Sequence, residues 1–310
     1  MVAKHKEKTL HPFLRSLYSK ARRTKKTIVL AEAEDDRVIQ AAQQIYEQKI
    51  AQLILLGSEK KITDLKKKHK ASFEFPIIDP KNYLYAFKNV EGLDLKDPHI
   101  LAAVMVREGL AHAAVSGNIS TTAITLRSAL KVLRDKRKRA FSYFLMLGPE
   151  KEPHFFADCA LNVSPDDKLL SKIAIGTAKE AKRFGVKPKI AFLSYSTHGS
   201  GHGPEADLVQ RAAKMTNKVF PADELQFDAA VDNSVAKRKA PTSKVAGKAN
   251  IFIFHDVMSA NVGYKIAERL GGWHAIGPIV CNLKKPMNDL SRGCSVQDIV
   301  AVVAMSTLEK

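Results

Sequence analysis

Near the C-terminal end of this chain, Ser291-Arg292-Gly293-Cys294-Ser295 and then Asp298 place a cation, two hydroxyls and a carboxylate around a glycine, immediately before an apolar stretch. Ser295 is spaced as a helix N-cap with Asp298 three residues on. Ile299, Val300, Val302, Val303 and Met305 supply the buried side of the helix that follows. The unsatisfied N–H groups and positive dipole end of such a helix favour a phosphate or a carboxylate, and Arg292 adds a full charge at the same place. Spacing alone leaves two readings open: an anion site, or a capping box beside a surface arginine.

Three further segments carry polar groups at the ends of apolar runs. Ser194-Tyr195-Ser196-Thr197-His198-Gly199-Ser200-Gly201-His202-Gly203 is rich in hydroxyls and glycine, so its backbone could approach an anion closely. It lacks the Gly-Lys-Ser/Thr ending of a nucleotide-phosphate loop, so a plain strand-to-helix connection competes with that reading. Asp158-Cys159-Ala160-Leu161-Asn162 follows Phe155-Phe156-Ala157, and because no neighbouring feature supplies a base for Cys159, a small buried residue is the simpler reading. Ser116-Gly117-Asn118, with Thr121, Thr122 and Arg127, forms another such edge, where hydroxyls could cap the helix carrying Arg127. There is no His-Glu-x-x-His and no Cys-x-x-Cys spacing that would point to a metal.

Positioning these groups requires strands that end where the polar residues begin. Thr27-Ile28-Val29-Leu30, Leu53-Ile54-Leu55-Leu56, Ala113-Ala114-Val115, Lys189 to Leu193, Ile251 to Phe254 and Ile276 to Val280 are continuous apolar runs, and segments of helical periodicity separate them. Such alternation predicts mainly parallel sheets covered on both faces, with site residues just beyond the strands. The basic run Arg134 to Arg139 and the segment Asn282 to Lys285 mark expected boundaries. They divide the chain into a discontinuous domain, 1–139 with 283–310, and a second domain, 140–282.

The 310 residues are 45% hydrophobic, which suits a globular chain rather than a disordered one. A net charge of +18 favours anionic partners through the long-range field, and nucleic acid, anionic membrane and phosphorylated metabolites all qualify. Lysine and arginine gather in short runs, Lys20 to Lys26, Lys66 to Lys70 and Lys237 to Lys239 among them, which read as solvated faces. Three cysteines are too few for a disulfide framework, the first residues lack an apolar leader core, and no run reaches about 18 apolar residues, so a cytoplasmic location without membrane insertion is expected.

Several of these motifs, in order along nearly the whole chain, resemble the phosphate acetyltransferase family. They are Ile28-Val29-Leu30 with Glu32, Glu34, Asp35 and Arg37; Phe156 to Asn162; Ser194 to Gly201; Pro241 with Ser243 to Asn250; Gly263 to Gly272; and Asn288 to Asp298. The resemblance implies two three-layer α/β domains with an active-site cleft between them, and a homodimer. It implies reversible acetyl transfer between acetyl phosphate and coenzyme A in a ternary complex, with coenzyme A as co-substrate and no permanently bound cofactor or metal. Arg292 would bind the phosphoryl group, Ser291 would hydrogen-bond at the reacting centre and Asp298 would take the thiol proton. Arg127 and Lys88 would sit near the coenzyme A phosphates, and Ser194, Ser196, Thr197, Ser200 and Ser295 would join the substrate and coenzyme contacts. A thiol and an aspartate differ by about 4.6 pKa units, so unaided proton transfer is uphill by roughly 6 kcal/mol and needs a stabilised thiolate or a more basic carboxylate.

The N-terminal half departs from the family pattern. Ala31 and Ala33 replace the usual proline and glycine, Ser120 and Ile124 stand where histidine and aspartate are common, and Ser128 follows Arg127 in place of proline. Lys88 aligns with an arginine, keeping the charge without the bidentate fork. Two alternatives accompany the acetyltransferase reading: a phosphate butyryltransferase, and a non-catalytic basic relative that binds nucleic acid. The second is disfavoured, because 7% aromatic residues leave few stacking platforms and no nucleic-acid motif occurs.

Overall fold

The computed structural model describes residues 10–83, 87–149 and 152–309. The chain forms two compact units, Met1–Ala140 with Gly277–Lys310, and Phe141–Ile276. In the first unit, α1 (Pro12–Thr24), β1 (Thr27–Leu30), α2 (Asp36–Gln48), β2 (Gln52–Leu56), α3 (Glu59–Lys68), β3 (Ile77–Ile78), α4 (Pro98–Arg107), β4 (Ala113–Ser116) and α5 (Thr122–Leu133) follow one another. The chain then builds the second unit from β5 (Phe141–Leu147), β6 (His154–Ala157), α6 (Asp167–Arg183), β7 (Ile190–Leu193), α7 (Pro204–Asn217), β8 (Ala222–Leu225), α8 (Phe227–Val231), α9 (Asn233–Lys239), β9 (Ile251–Ile253), α10 (Val257–Arg269) and β10 (His274–Cys281). It closes in the first unit with β11 (Met287–Asp289) and α11 (Val296–Ser306).

The first sheet has the order β11-β4-β1-β2-β3, and every pairing in it is parallel. β1 steps outward to β2 and β3, and the chain then returns to β4 on the opposite side of β1. The strand order therefore reverses between β1 and β4, which is where such sheets open a ligand crevice. Ile28, Val29, Leu53, Leu55, Ala113 and Ala114 are buried, as a sheet covered on both faces requires. α11 packs on α2 and α1, while α4 packs on α5. The polar residues beyond β1, β4 and β11 emerge at one edge, because parallel pairing sets Leu30 beside Val115 and Ser116 beside Asp289.

The second sheet has the order β10-β5-β6-β9-β7-β8. β6, β9, β7 and β8 pair in parallel, and β5 pairs antiparallel with β6. An aromatic cluster fills its core, with Phe144 stacked on Tyr264 at 4.2 Å between centroids and Phe156 edge-on to Phe252. The expected mainly parallel α/β architecture holds in both units. The Asp158 segment is structural: its carboxylate accepts from the Ser142, Ala160 and Asn162 N–H groups, from the Ser142 hydroxyl and from the Asn162 amide. Cys159 beside it is 1% exposed, and burial raises its thiol pKa well above the usual value, so it behaves as the small buried residue that its surroundings suggested.

Candidate active site

In the first unit the segment after β11 forms a turn, with the Cys294 N–H donating to the Ser291 carbonyl at 2.8 Å and the Gly293 N–H to Ser291 Oγ at 3.3 Å. The capping box anticipated from the spacing is present. Ser295 Oγ accepts from the Asp298 N–H at 3.2 Å, and Asp298 Oδ2 accepts from the Ser295 N–H at 2.6 Å and from its hydroxyl at 2.9 Å. Asp298 is thereby buried at the first turn of α11. Arg292 is exposed, and its guanidinium makes no hydrogen bond or ion pair with the described residues.

What holds that loop is Arg37, the second residue of α2. Its Nη1 donates to the carbonyls of Arg292 at 2.8 Å and Cys294 at 3.0 Å, and its Nη2 donates to the Asn118 carbonyl at 2.7 Å. The same guanidinium is paired with Asp35, the N-cap of α2, at 2.6 Å. One side chain thus joins the loops after β1, β4 and β11. Because Arg37 engages carbonyls, it fixes the backbone of Arg292 and leaves the Arg292 side chain available.

Glu32 organises the neighbouring loop. Its carboxylate accepts from the N–H groups of Gly117 at 2.7 Å, Ser120 at 2.8 Å and Ile119 at 3.2 Å. Burial pushes the Glu32 carboxyl up, but hydrogen bonds from His99, Ser120 and Ile119 outweigh that and hold it down at about 2. Gly117 has φ +96°, and a Cβ there would lie 1.9 Å from Asp289 Oδ1, so no other residue fits. Asp289 itself is fully buried, and burial raises its carboxyl to about 7 against the pull of Thr122, Thr125 and the Leu290 N–H. Tyr18 on α1 is also buried, and burial together with the nearby Asp298 carboxylate raises its phenol.

The structure therefore brings Ser291, Arg292, Ser295 and Asp298 into one turn and helix start. Arg127 on α5 and Lys88 are exposed, and their side chains pair with no described residue. Sequence reasoning noted Arg37 and Glu32 only as motif members. The Asp35 cap beside Arg37 was visible as a local signal, but partners 255 residues away were not.

In the second unit, the Ser194 to Gly203 segment connects β7 to α7, and its hydroxyls are used within the loop. Ser194 Oγ accepts from the Ser196 N–H, Ser196 Oγ from the Gly201 N–H, and Ser200 Oγ from the Thr197 N–H, at 3.0 to 3.1 Å. Thr197 Oγ1 accepts from the Gln226 N–H and donates to the Gln226 side chain. Glu224, 4% exposed, accepts from the Gly199 N–H and places a carboxylate against the loop. Among the described residues, no cluster of His, Cys, Asp and Glu could hold a metal ion.

These features define a class: a mainly parallel α/β protein with an exposed, backbone-clamped arginine at the carboxyl edge of its strands. Comparison with known proteins makes the class specific. The sequence profile described as "Phosphate acetyl/butaryl transferase" matches residues 12–91 and 85–307, and the chain belongs to that family. The phosphate acetyltransferase of Clostridium acetobutylicum is 38% identical over 330 residues, covering 96% of this chain and 98% of the relative. A crystal structure of a phosphotransacetylase from Streptococcus pyogenes superposes with a TM-score of 0.84 at 38% identity, covering 95% of this chain and 98% of that one. A branched-chain phosphotransacylase from Enterococcus faecalis, at 20% identity and a TM-score of 0.73, shares the fold, covering 91% of this chain and 99% of that one.

Proposed function

We propose that the chain catalyses reversible acetyl transfer between acetyl phosphate and coenzyme A, acetyl-CoA plus phosphate giving coenzyme A plus acetyl phosphate. The observation that carries this reading is Arg292, whose backbone carbonyl is held by Arg37 and whose guanidinium pairs with no described residue, in the turn and helix start that also carry Ser291 and Asp298. In the synthetic direction the coenzyme sulfur attacks the acetyl carbon of acetyl phosphate, a C–S bond forms, and the C–O bond to the phosphoryl group breaks. Phosphate leaves with the bonding pair. Arg292 offsets its charge, and the thiol proton passes to Asp298.

Ser291 serves as hydrogen-bond donor to the reacting carbonyl, and Ser295 holds Asp298 in place. Arg127 and Lys88, exposed and pairing with no described residue, are assigned to the coenzyme phosphates, where Lys88 supplies charge without a fork. In the hydroxyl loop, Ser194, Ser196 and Ser200 are assigned to offer O–H protons to a ligand while their oxygens hold the loop backbone, and Thr197, whose hydroxyl donates to Gln226, shapes the loop for that contact. No described helix is long and apolar enough to cross a membrane, and a cytoplasmic enzyme is the reading we adopt. The proposed homodimer finds support on the second unit. Met258, Val262 and Ile266, spaced four apart on α10, and Leu270 just beyond it are 52% to 85% exposed, forming an apolar stripe suited to an isologous contact.

Mixing purified protein with acetyl phosphate and coenzyme A should give thioester at a rate proportional to enzyme, and butyryl phosphate should be used more slowly. Absence of thioester formation would refute the assignment, and preference for butyryl phosphate would correct its acyl group.

A further inference from the structure

A cavity of about 460 Å³ lies wholly within the first unit, at the carboxyl ends of β1 and β2 and beside the loop after β4. Its lining includes Glu32, Lys61, Lys81, Lys96, His99 and Ser120, none of which belongs to the 291–298 segment. We propose that this cavity is a second anion site, taking a phosphate-bearing ligand larger than inorganic phosphate. The inference does not depend on the assignment of Arg292.

The first support is position. The cavity spans the β1/β4 switch point of the parallel sheet, and the starts of α3 and α4 contribute Ser58 and Lys61, and Pro98 and His99, to its wall. Ser58, the N-cap of α3, makes no side-chain cap bond, so its hydroxyl is available.

The second support is which charges are left over. Three carboxylates line the cavity, and each is engaged by the protein: Glu32 by three backbone N–H groups, Glu34 by Lys61 at 2.7 Å and the Ser58 N–H at 2.8 Å, and Asp79 by the Lys81 N–H at 2.9 Å. The ammonium groups of Lys81 and Lys96 make no hydrogen bond or ion pair with the described residues. Lysine is a point-charge phosphate binder, and two unpaired heads on separate segments suit a spread, multiply charged anion.

The third support lies deeper in the wall. The His99 side chain is only 7% exposed and stands between two carboxylates, with Nδ1 2.9 Å from Asp97 Oδ1 and Nε2 3.4 Å from Glu32 Oε1. Burial pulls the imidazole pKa down, but Glu32 and Asp97 together raise it above the ordinary histidine value, which keeps a cation in the buried wall. A cavity of this size is in the range of small-ligand sites and exceeds what one phosphate fills.

Calorimetric titration of inorganic pyrophosphate into the full chain tests the proposal. In Arg292→Ala, one pyrophosphate per chain should still bind, and adding Lys81→Ala and Lys96→Ala should weaken it at least tenfold without changing the thermal midpoint. Loss of all binding in Arg292→Ala alone, or undiminished binding in the triple variant, would overturn the proposal. Both outcomes are separate from whether Arg292→Ala is inactive, so this inference and the reading of Arg292 can fail independently. Steady-state kinetics of Lys81→Ala/Lys96→Ala then name the ligand's source. A raised KM for coenzyme A with unchanged kcat and unchanged KM for acetyl phosphate assigns the coenzyme's own phosphates. An unchanged KM for coenzyme A, with loss of any pyrophosphate effect on the rate, assigns a separate free phosphate compound.

Discussion

The loop after β7 in the second unit and the loop after β11 in the first both follow a strand of a mainly parallel sheet and both mix hydroxyls with glycine, yet they use their polar atoms in opposite ways. After β7, the oxygens of Ser194, Ser196 and Ser200 accept from N–H groups of their own loop, and the Glu224 carboxylate accepts from it. After β11, the backbone is held from outside by Arg37, and the Arg292 side chain has no partner among the described residues. Hydroxyl-rich composition therefore does not mark an anion site. On the proposed reading, what marks it is a side-chain donor left over once the loop's own backbone is satisfied.

That contrast can be broken by substitution. Arg292→Ala should lower the rate of thioester formation by on the order of 10³-fold, while Ser200→Ala should change it by less than about fivefold. Equal effects at both positions would erase the distinction. Asp298→Asn, which keeps an acceptor for Ser295 and so keeps the cap, should cost on the order of 10²-fold in kcat. A variant with wild-type rate would reduce Asp298 to a cap.

The acidic framework of the first-unit site should show in stability. Glu32 is held at about 2 in the folded state against about 4.5 unfolded, so its contribution is present above pH 4.5 and is lost as pH falls from there toward 2. The loss is roughly 3 kcal/mol by denaturant unfolding, and Glu32→Gln should lack that pH dependence. Asp289 acts in the opposite sense. With its carboxyl raised to about 7, its favourable contribution is present below pH 3.8 and is lost as pH rises through 7, so Asp289→Asn should gain stability relative to wild type at pH 8 but not at pH 4.

Arg37→Lys tests the clamp. A single ammonium cannot reproduce donations to three carbonyls, so kcat should fall by about tenfold with thermal unfolding little changed. The smallest effect belongs to the self-contained loop, where Thr197→Ala removes the bridge to Gln226 and should cost about 1 kcal/mol of stability with little change in rate.

Much of this was legible along the chain. Continuous apolar runs gave the parallel strands because burial on both faces leaves no alternation to read, and Ser295 with Asp298 gave the cap because that interaction spans three residues. The clamp was not legible, since Arg37 meets Arg292 and Cys294 only after parallel pairing places β1, β4 and β11 side by side. Nor was the difference between the two loops, which depends on where Glu224 and Gln226 fall in space. His99 reads as an ordinary apolar-helix residue until the fold sets Glu32 beside it.

The most direct measurement of the central claim is the affinity for acetyl phosphate in the absence of coenzyme A, titrated into wild type and Arg292→Ala under matched salt. If the unpaired guanidinium is the phosphoryl site, the Kd rises at least tenfold in the variant while its thermal midpoint stays within about 2 °C of wild type. An unchanged Kd in a folded Arg292→Ala protein would contradict the account.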